Sequence, residues 1–174
     1  MIGGMTEAES ASRDSAFWRF SLRFYALPNV APACIELQDK AGVDVNLMLF
    51  LLFLADGKRL VTAADVARLD STISSWREEV VMPLRELRRK LKTGVGGIAP
   101  ERSEPFRNLI KRVELESERL EQARLEQEVS AFLAKAPSRE TAVEANLAAY
   151  AAHLGSLPAT PVKIIRDAFT SLAP

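Results

Sequence analysis

The chain has 174 residues, 48% of them hydrophobic and 26% charged, with 23 Lys plus Arg against 23 Asp plus Glu. That size and apolar content predict one domain, or one domain with a helical extension, and the balanced charge disfavours a chain held to nucleic acid or anionic lipid by overall charge alone. One cysteine, Cys34, and one histidine, His153, exclude an internal disulfide, a multi-cysteine or His-rich metal site within the chain, and every zincin motif. The expectation is therefore no metal, no cofactor and a reducing, cytoplasmic setting.

Residues Met1–Ser12 are small and acidic, without the basic-then-apolar order of a signal peptide, and read as a disordered tail; Met5 is an alternative start to Met1. A first helix is expected over Ala16–Tyr25, capped by Asp14 or Ser15 and stopped before Pro28. Five aromatics fall in its last nine residues. Phe17, Phe20 and Phe24 make one stripe and Trp18, Leu22 and Tyr25 a second, which predicts a helix covered on both sides. A second helix should run over Val30–Lys40, with Pro32 in its first turn and Gly42 as C-cap. Asp44 then caps the most apolar run, Val45–Ala55, too short to span a membrane and expected to be the buried central helix.

Thr62 with Asp65 forms a variant capping box for a short helix to Leu69. A longer helix, Ser71–Lys92, carries the stripe Ile73, Trp76, Val80, Leu84, Leu87, Leu91, with a kink expected at Pro83. Thr93–Ser103 reads as a flexible glycine-rich loop; Gly94-Val95-Gly96-Gly97 lacks the Lys-Ser/Thr ending and preceding strand of a phosphate loop. A long helix is expected from Pro105 to Ala136, about 45–50 Å at 1.5 Å per residue. Its second half is so polar that something must cover Leu120, Ala123, Leu125 and Val129, and C-terminal helices folding back are the favoured cover. Pro137 ends it. Ser138 caps a helix with the face Val143, Leu147, Tyr150, Leu154, closed by Gly155, and Thr160-Pro161 opens a last helix with Ile165, Phe169 and Leu172 inward. No strand-like alternation is present. The expected fold class is all-α, divided as a tail (1–12), a helical core with the long helix (13–136) and a C-terminal helical extension (138–174) packed on the core.

Two constellations stand out. Gln38, Asp39, Asp44 and Asn46 surround the turn at Gly42. Asn46 opens an apolar helix, so its amide needs partners, and Gln38, Asp39 or Asp44 are the candidates for a polar network or pocket. Arg85, Arg88, Arg89, Lys90 and Lys92 form a basic run without interleaved aromatics, which disfavours nucleic acid. Its expected counterparts are the glutamates between Glu114 and Glu128. With Trp18, Leu22 and Tyr25, the arginines Arg85, Arg88 and Arg89 form a candidate interaction surface. His153 reads as a helix C-terminal dipole partner and Cys34 as a buried packing residue. No nucleophile elbow or Glu-x-x-His motif exists, and no catalytic residue is assigned.

Several segments resemble an uncharacterised bacterial family known only as a domain of unknown function. They are Trp18 through Tyr25-Ala26-x-Pro28-x-Val30, Cys34-x-x-Leu37-Gln38-x-x-x-Gly42-x-Asp44-Val45-Asn46-Leu47, Trp76-Arg77-x-x-Val80-x-x-Pro83-Leu84-Arg85-x-Leu87-Arg88-Arg89 and Lys111-x-x-Glu114-Leu115-x-x-Glu118. The resemblance covers about Ala16–Leu125. It implies a compact helical cytoplasmic protein and no activity, cofactor or partner.

The functional expectation is a non-enzymatic interaction or adaptor protein, working through a protein partner or a homodimer and without a membrane span. A binding protein for an apolar or lipid-like small molecule is the alternative, and an enzyme using carboxylate and arginine chemistry the third reading.

Overall fold

The computed structural model describes residues 15–172. The expectations for the tail and for the start at Met1 or Met5 lie outside the described residues. Among the described residues the fold is all-α. The order is α1 (Ala16–Tyr25), α2 (Val30–Ala41), α3 (Val45–Asp56), α4 (Ala63–Trp76), a π-helical stretch (Arg77–Val81), α5 (Met82–Leu91), α6 (Pro100–Glu126), a short 3-10 turn (Val129–Ala131), α7 (Arg139–Leu154) and α8 (Ala159–Ser171).

Local chemistry explains the starts. Ser15 accepts from Trp18 N–H at 3.0 Å, Asp44 from Leu47 N–H at 2.8 Å and Ser138 from Thr141 N–H at 3.1 Å. Each satisfies an orphan donor of a first turn. Thr62 and Asp65 close both halves of a capping box. α3 is apolar all round because it is enclosed all round, by α1, α6 and α7. Phe17 of α1 sets its ring 5.3 Å from both Phe50 and Phe53. Each large side chain so enclosed contributes about 1.5–3 kcal/mol. α7 covers α3 and α4, and α8 lies on α2.

Several expectations are corrected. α1 is covered on one side only: Phe17, Phe20 and Phe24 are buried, whereas Leu22 and Tyr25 are exposed and Trp18 is half-buried. The helices expected to break between Leu69 and Ser71 are one rod from Ala63 to Leu91, because Asp70 and Ser71 find tertiary or helical partners. Pro83 does not simply kink that rod. The turn before it widens to a π-turn, with Met82 N–H bonding the Arg77 carbonyl. The extra residue per turn advances the inward face, so Val81 is buried where an unbroken stripe would bury Val80.

The long helix starts at Pro100, not Pro105, and ends at Glu126, ten residues before Ala136. Helix propensity there loses to tertiary pairing. Phe132 enters the core beside Phe50, Leu60 N–H bonds Ala134 O at 3.0 Å, and Ala136 N–H bonds Lys58 O at 2.8 Å. The 27-residue helix is about 40 Å long. Its cover is not the C-terminal helices. α7 and α8 pack on α2, α3 and α4, while Leu120 remains 43% exposed. The buried face of α6 is instead polar: Glu114, Ser117, Glu121 and Gln122, with Leu125 at its end. Nor do the apolar residues of its first half turn inward. Phe106, Leu109 and Val113 are exposed, and Ile110 is half-buried.

Candidate functional site

The end of α2, the α2–α3 turn, the first turn of α3, the π-turn, α5 and one residue of α6 line a half-open cavity of about 610 Å³. Gln38, Asp39, Asp44 and Asn46 all line it, so the structure brings the polar group around Gly42 together at one wall. Gly42 makes this compact by closing α2 in the left-handed region, at φ +65°, so that Asp44 can cap α3 two residues later. Val43, Val45, Val81 and Met82 supply the apolar part of the lining, and Arg77, Arg85 and Arg89 its cations.

Behind the wall lies a polar chain that crosses the bundle. Asn46 donates to Glu121 Oε2 at 3.2 Å and accepts from Gln122 Nε2 at 2.8 Å; Gln122 in turn accepts from Ser21 at 2.8 Å. The partners of Asn46 thus come from α6, not from Gln38, Asp39 or Asp44. The Asn46 amide reaches away from its own turn because α6 is the polar helix packed against α3. On the other side, Asp44 accepts from Arg77 at 3.2 Å, Arg77 donates to Asp70 at 2.6 Å, and Asp70 meets His153 Nε2 at 3.2 Å. His153 therefore pairs with a carboxylate from α4. Tyr150 accepts from the Asp44 N–H at 2.8 Å and is itself buried.

Glu121 carries the unusual electrostatics. It is 1% exposed, its Oε1 has no donor, and its carboxyl lies against the Asp44 carboxylate. Burial first, then the charge of Asp44, drive its pKa far above the carboxylate range; the Asn46 hydrogen bond and Arg77 only partly oppose this. The Glu121 carboxyl is thus held protonated beside Asp44. Burial would draw the Arg77 pKa down, but the hydrogen bond to Asp70 and the charges of Asp44 and Asp70 outweigh it and raise it. Burial would raise Asp70 as well, yet Arg77 and His153 hold it below its usual value.

The basic run meets the glutamates of α6. Arg85 bridges Glu118 at 2.9 Å and approaches Glu114 at 3.4 Å, and Arg88 grips Glu114 with two nitrogens. Burial raises the Glu118 pKa against the pull of Arg85. Arg89 sits at the cavity mouth, 3.4 Å from Asp39. Of the expected interaction surface, Leu22 and Tyr25 are exposed on α1, and Tyr25 feels the charges of Glu118 and Arg85. The arginines are engaged within the chain. Cys34 is fully buried, and burial pushes its thiol up to about 12.

Sequence reasoning missed Arg77, Glu121 and Gln122. Arg77 was hidden by the π-turn, and Glu121 by its place in a run of glutamates expected to pair with the basic run. One signal was present: Glu114, Glu118 and Glu121 fall at i, i+4, i+7, one face of a helix, with Ser117 between them. Among the described residues no group of three or more His, Cys, Asp or Glu is arranged to hold a metal ion.

The model of a protein family of unknown function, DUF2390, matches residues 16–125, and the chain belongs to that family. The matched span takes in the whole lining of the cavity. No curated protein matches the chain, and no solved structure matches it.

Proposed function

We propose that this DUF2390 chain binds a small polar molecule in the cavity, through a cationic or hydrogen-bond-donating nitrogen placed at Glu121 and Asp44. The observation that carries this reading is the buried Glu121 Oε1 without a donor in a cavity wall. The cations around it are already taken: Arg77 by Asp44 and Asp70, Arg85 by Glu114 and Glu118, Arg89 by Asp39. What the site lacks is a cation at Glu121, whose buried carboxyl stays neutral by keeping its proton. A ligand cation would take the place of the proton on Glu121. The mixed lining supports a polar guest over an apolar or lipid-like one.

Benzamidine, benzamide and benzoate share a shape and differ in charge, which makes them suitable probes. Ligand-observed NMR should detect benzamidine binding, weaker benzamide binding and no benzoate binding, with the benzamidine signal lost in Glu121→Gln. Preferential binding of benzoate would defeat the proposal. A second reading, association with a protein partner or a second copy, is supported by exposed Phe106, Leu109 and Val113 along one side of α6. Light scattering of the full chain over a range of concentrations tests the homodimer.

A further inference from the structure

The core ends before the α5–α6 hairpin does. Among the described residues, no buried side chain between Ile73 and Leu125 belongs to the apolar core cluster. The hairpin is an arm held by its own ion pairs. At its end the residues expected to form a flexible loop form a built turn instead. Val95 and Ile98 exchange both backbone hydrogen bonds, at 3.3 and 3.0 Å, around Gly96 at φ +59° and Gly97 at φ +78°. Two positive φ values in succession define a type I′ turn, which suits glycine at both positions. Val95 and Ile98 face each other across this short ladder, and they are 50% and 57% exposed. The fold fixes two apolar side chains in solvent.

The surroundings are basic. Arg85, Arg88 and Arg89 are taken by Glu114, Glu118 and Asp39, but residues 92–113 still hold five Lys or Arg against Glu101 and Glu104, net +3, in a chain of net charge zero. Lys90 and Arg107 neutralise Glu86 and Glu104 within their own helices. Lys92 and Arg102, which flank the turn, have no ion-pair partner among the described residues.

We propose that this tip is a docking site for the anionic lipid headgroups of a membrane surface. Two side chains on a turn cannot approach the about 800 Å² per partner that a stable protein interface takes. A yielding headgroup layer needs no preformed pocket, accepts shallow apolar insertion and attracts basic clusters beside it. No helix of the described residues is long and apolar enough to cross a membrane.

The test is co-sedimentation of the full chain with vesicles of phosphatidylcholine alone and with vesicles containing about one-third phosphatidylglycerol. Binding to the anionic vesicles should be at least about tenfold stronger and should fall with added salt. Val95→Asp with Ile98→Asp should reduce it about tenfold or more, and Lys92→Glu with Arg102→Glu should reduce it without touching the turn. Unchanged circular dichroism certifies both folds. Equal binding to the two vesicle types, no binding at low salt, or full binding by both double variants overturns the proposal. So does a self-association of the wild type that Val95→Asp with Ile98→Asp abolishes while vesicle binding persists.

Discussion

Glu121→Gln should stabilise this protein, and by an amount that grows with pH. In the folded chain the Glu121 carboxyl keeps a proton, because burial and the Asp44 charge raise its pKa. In the unfolded chain it loses that proton once the pH passes about 4.3. A carboxyl whose pKa is raised by folding binds more protons in the folded state, so stability falls as pH rises, by up to about 1.4 kcal/mol per unit, until the folded group ionises. Between pH 5 and pH 7 the wild type should therefore lose up to about 2–3 kcal/mol at this residue. Glutamine has no proton to lose. It can accept from Asn46 with its oxygen and donate to Asp44 with its amide, keeping the geometry of the wall. The gap in Tm between variant and wild type should thus widen by about 5–10 °C from pH 5 to pH 7. Titrating groups remote from Glu121 are common to both chains and cancel. Thermal unfolding at closely spaced pH values reads this directly. Parallel curves, with a gap that stays constant across the range, would refute the retained proton on Glu121.

Asn146→Ala should cost about 2–4 kcal/mol, since this fully buried amide accepts from Val61 N–H at 3.0 Å and donates to Leu51 and Arg59 carbonyls at 3.0 Å each; chemical denaturation gives the value. Arg88→Ala leaves Glu114 buried with a weaker partner and should cost about 3–5 kcal/mol, whereas a double change to Arg88→Leu and Glu114→Leu should recover much of the loss. Cys34 should resist a thiol reagent at pH 8 in the native protein and react fully in denaturant, because it is buried and its thiol is held up to about 12; rapid native labelling would contradict that placement.

The sequence is legible where structure is local. Ser15, Asp44, Thr62 and Ser138 act on donors three residues away, so each cap could be read without the fold. The apolar face of α7 and the all-round apolarity of α3 were equally plain. What escaped is long-range. Nothing near Glu126 breaks a helix; the chain turns because Arg59 donates to Phe132 O at 2.5 Å and Phe132 fills the core, some 70 residues away in sequence. At the cavity, Gln38, Asp39, Asp44 and Asn46 were visible as polar residues beside an apolar helix. Their completion by Glu121 and Arg77 was not, because a charged residue looks the same in sequence whether it faces water or a buried partner.

The widened turn at Arg77–Val81 also acts as a phase shifter between two different kinds of seam. Upstream of it, the rod shows Val66, Leu69 and Ile73 to an apolar interior. Downstream, it shows Arg85 and Arg88 to a row of carboxylates. Each residue added to or removed from a helix rotates everything beyond it by about 100°. Deleting one residue from the stretch would restore regular winding, absorb the surplus and leave both arginines on the Glu114–Glu118 row. A deletion in the regular helix on either side would instead swing them off it, turn Arg89 from the cavity mouth and reorient the Val95–Ile98 tip. The wide turn thereby lets the arm keep its azimuth while carrying one surplus residue, and the segment between Arg77 and Val81 should tolerate loss of one residue far better than the helices that flank it.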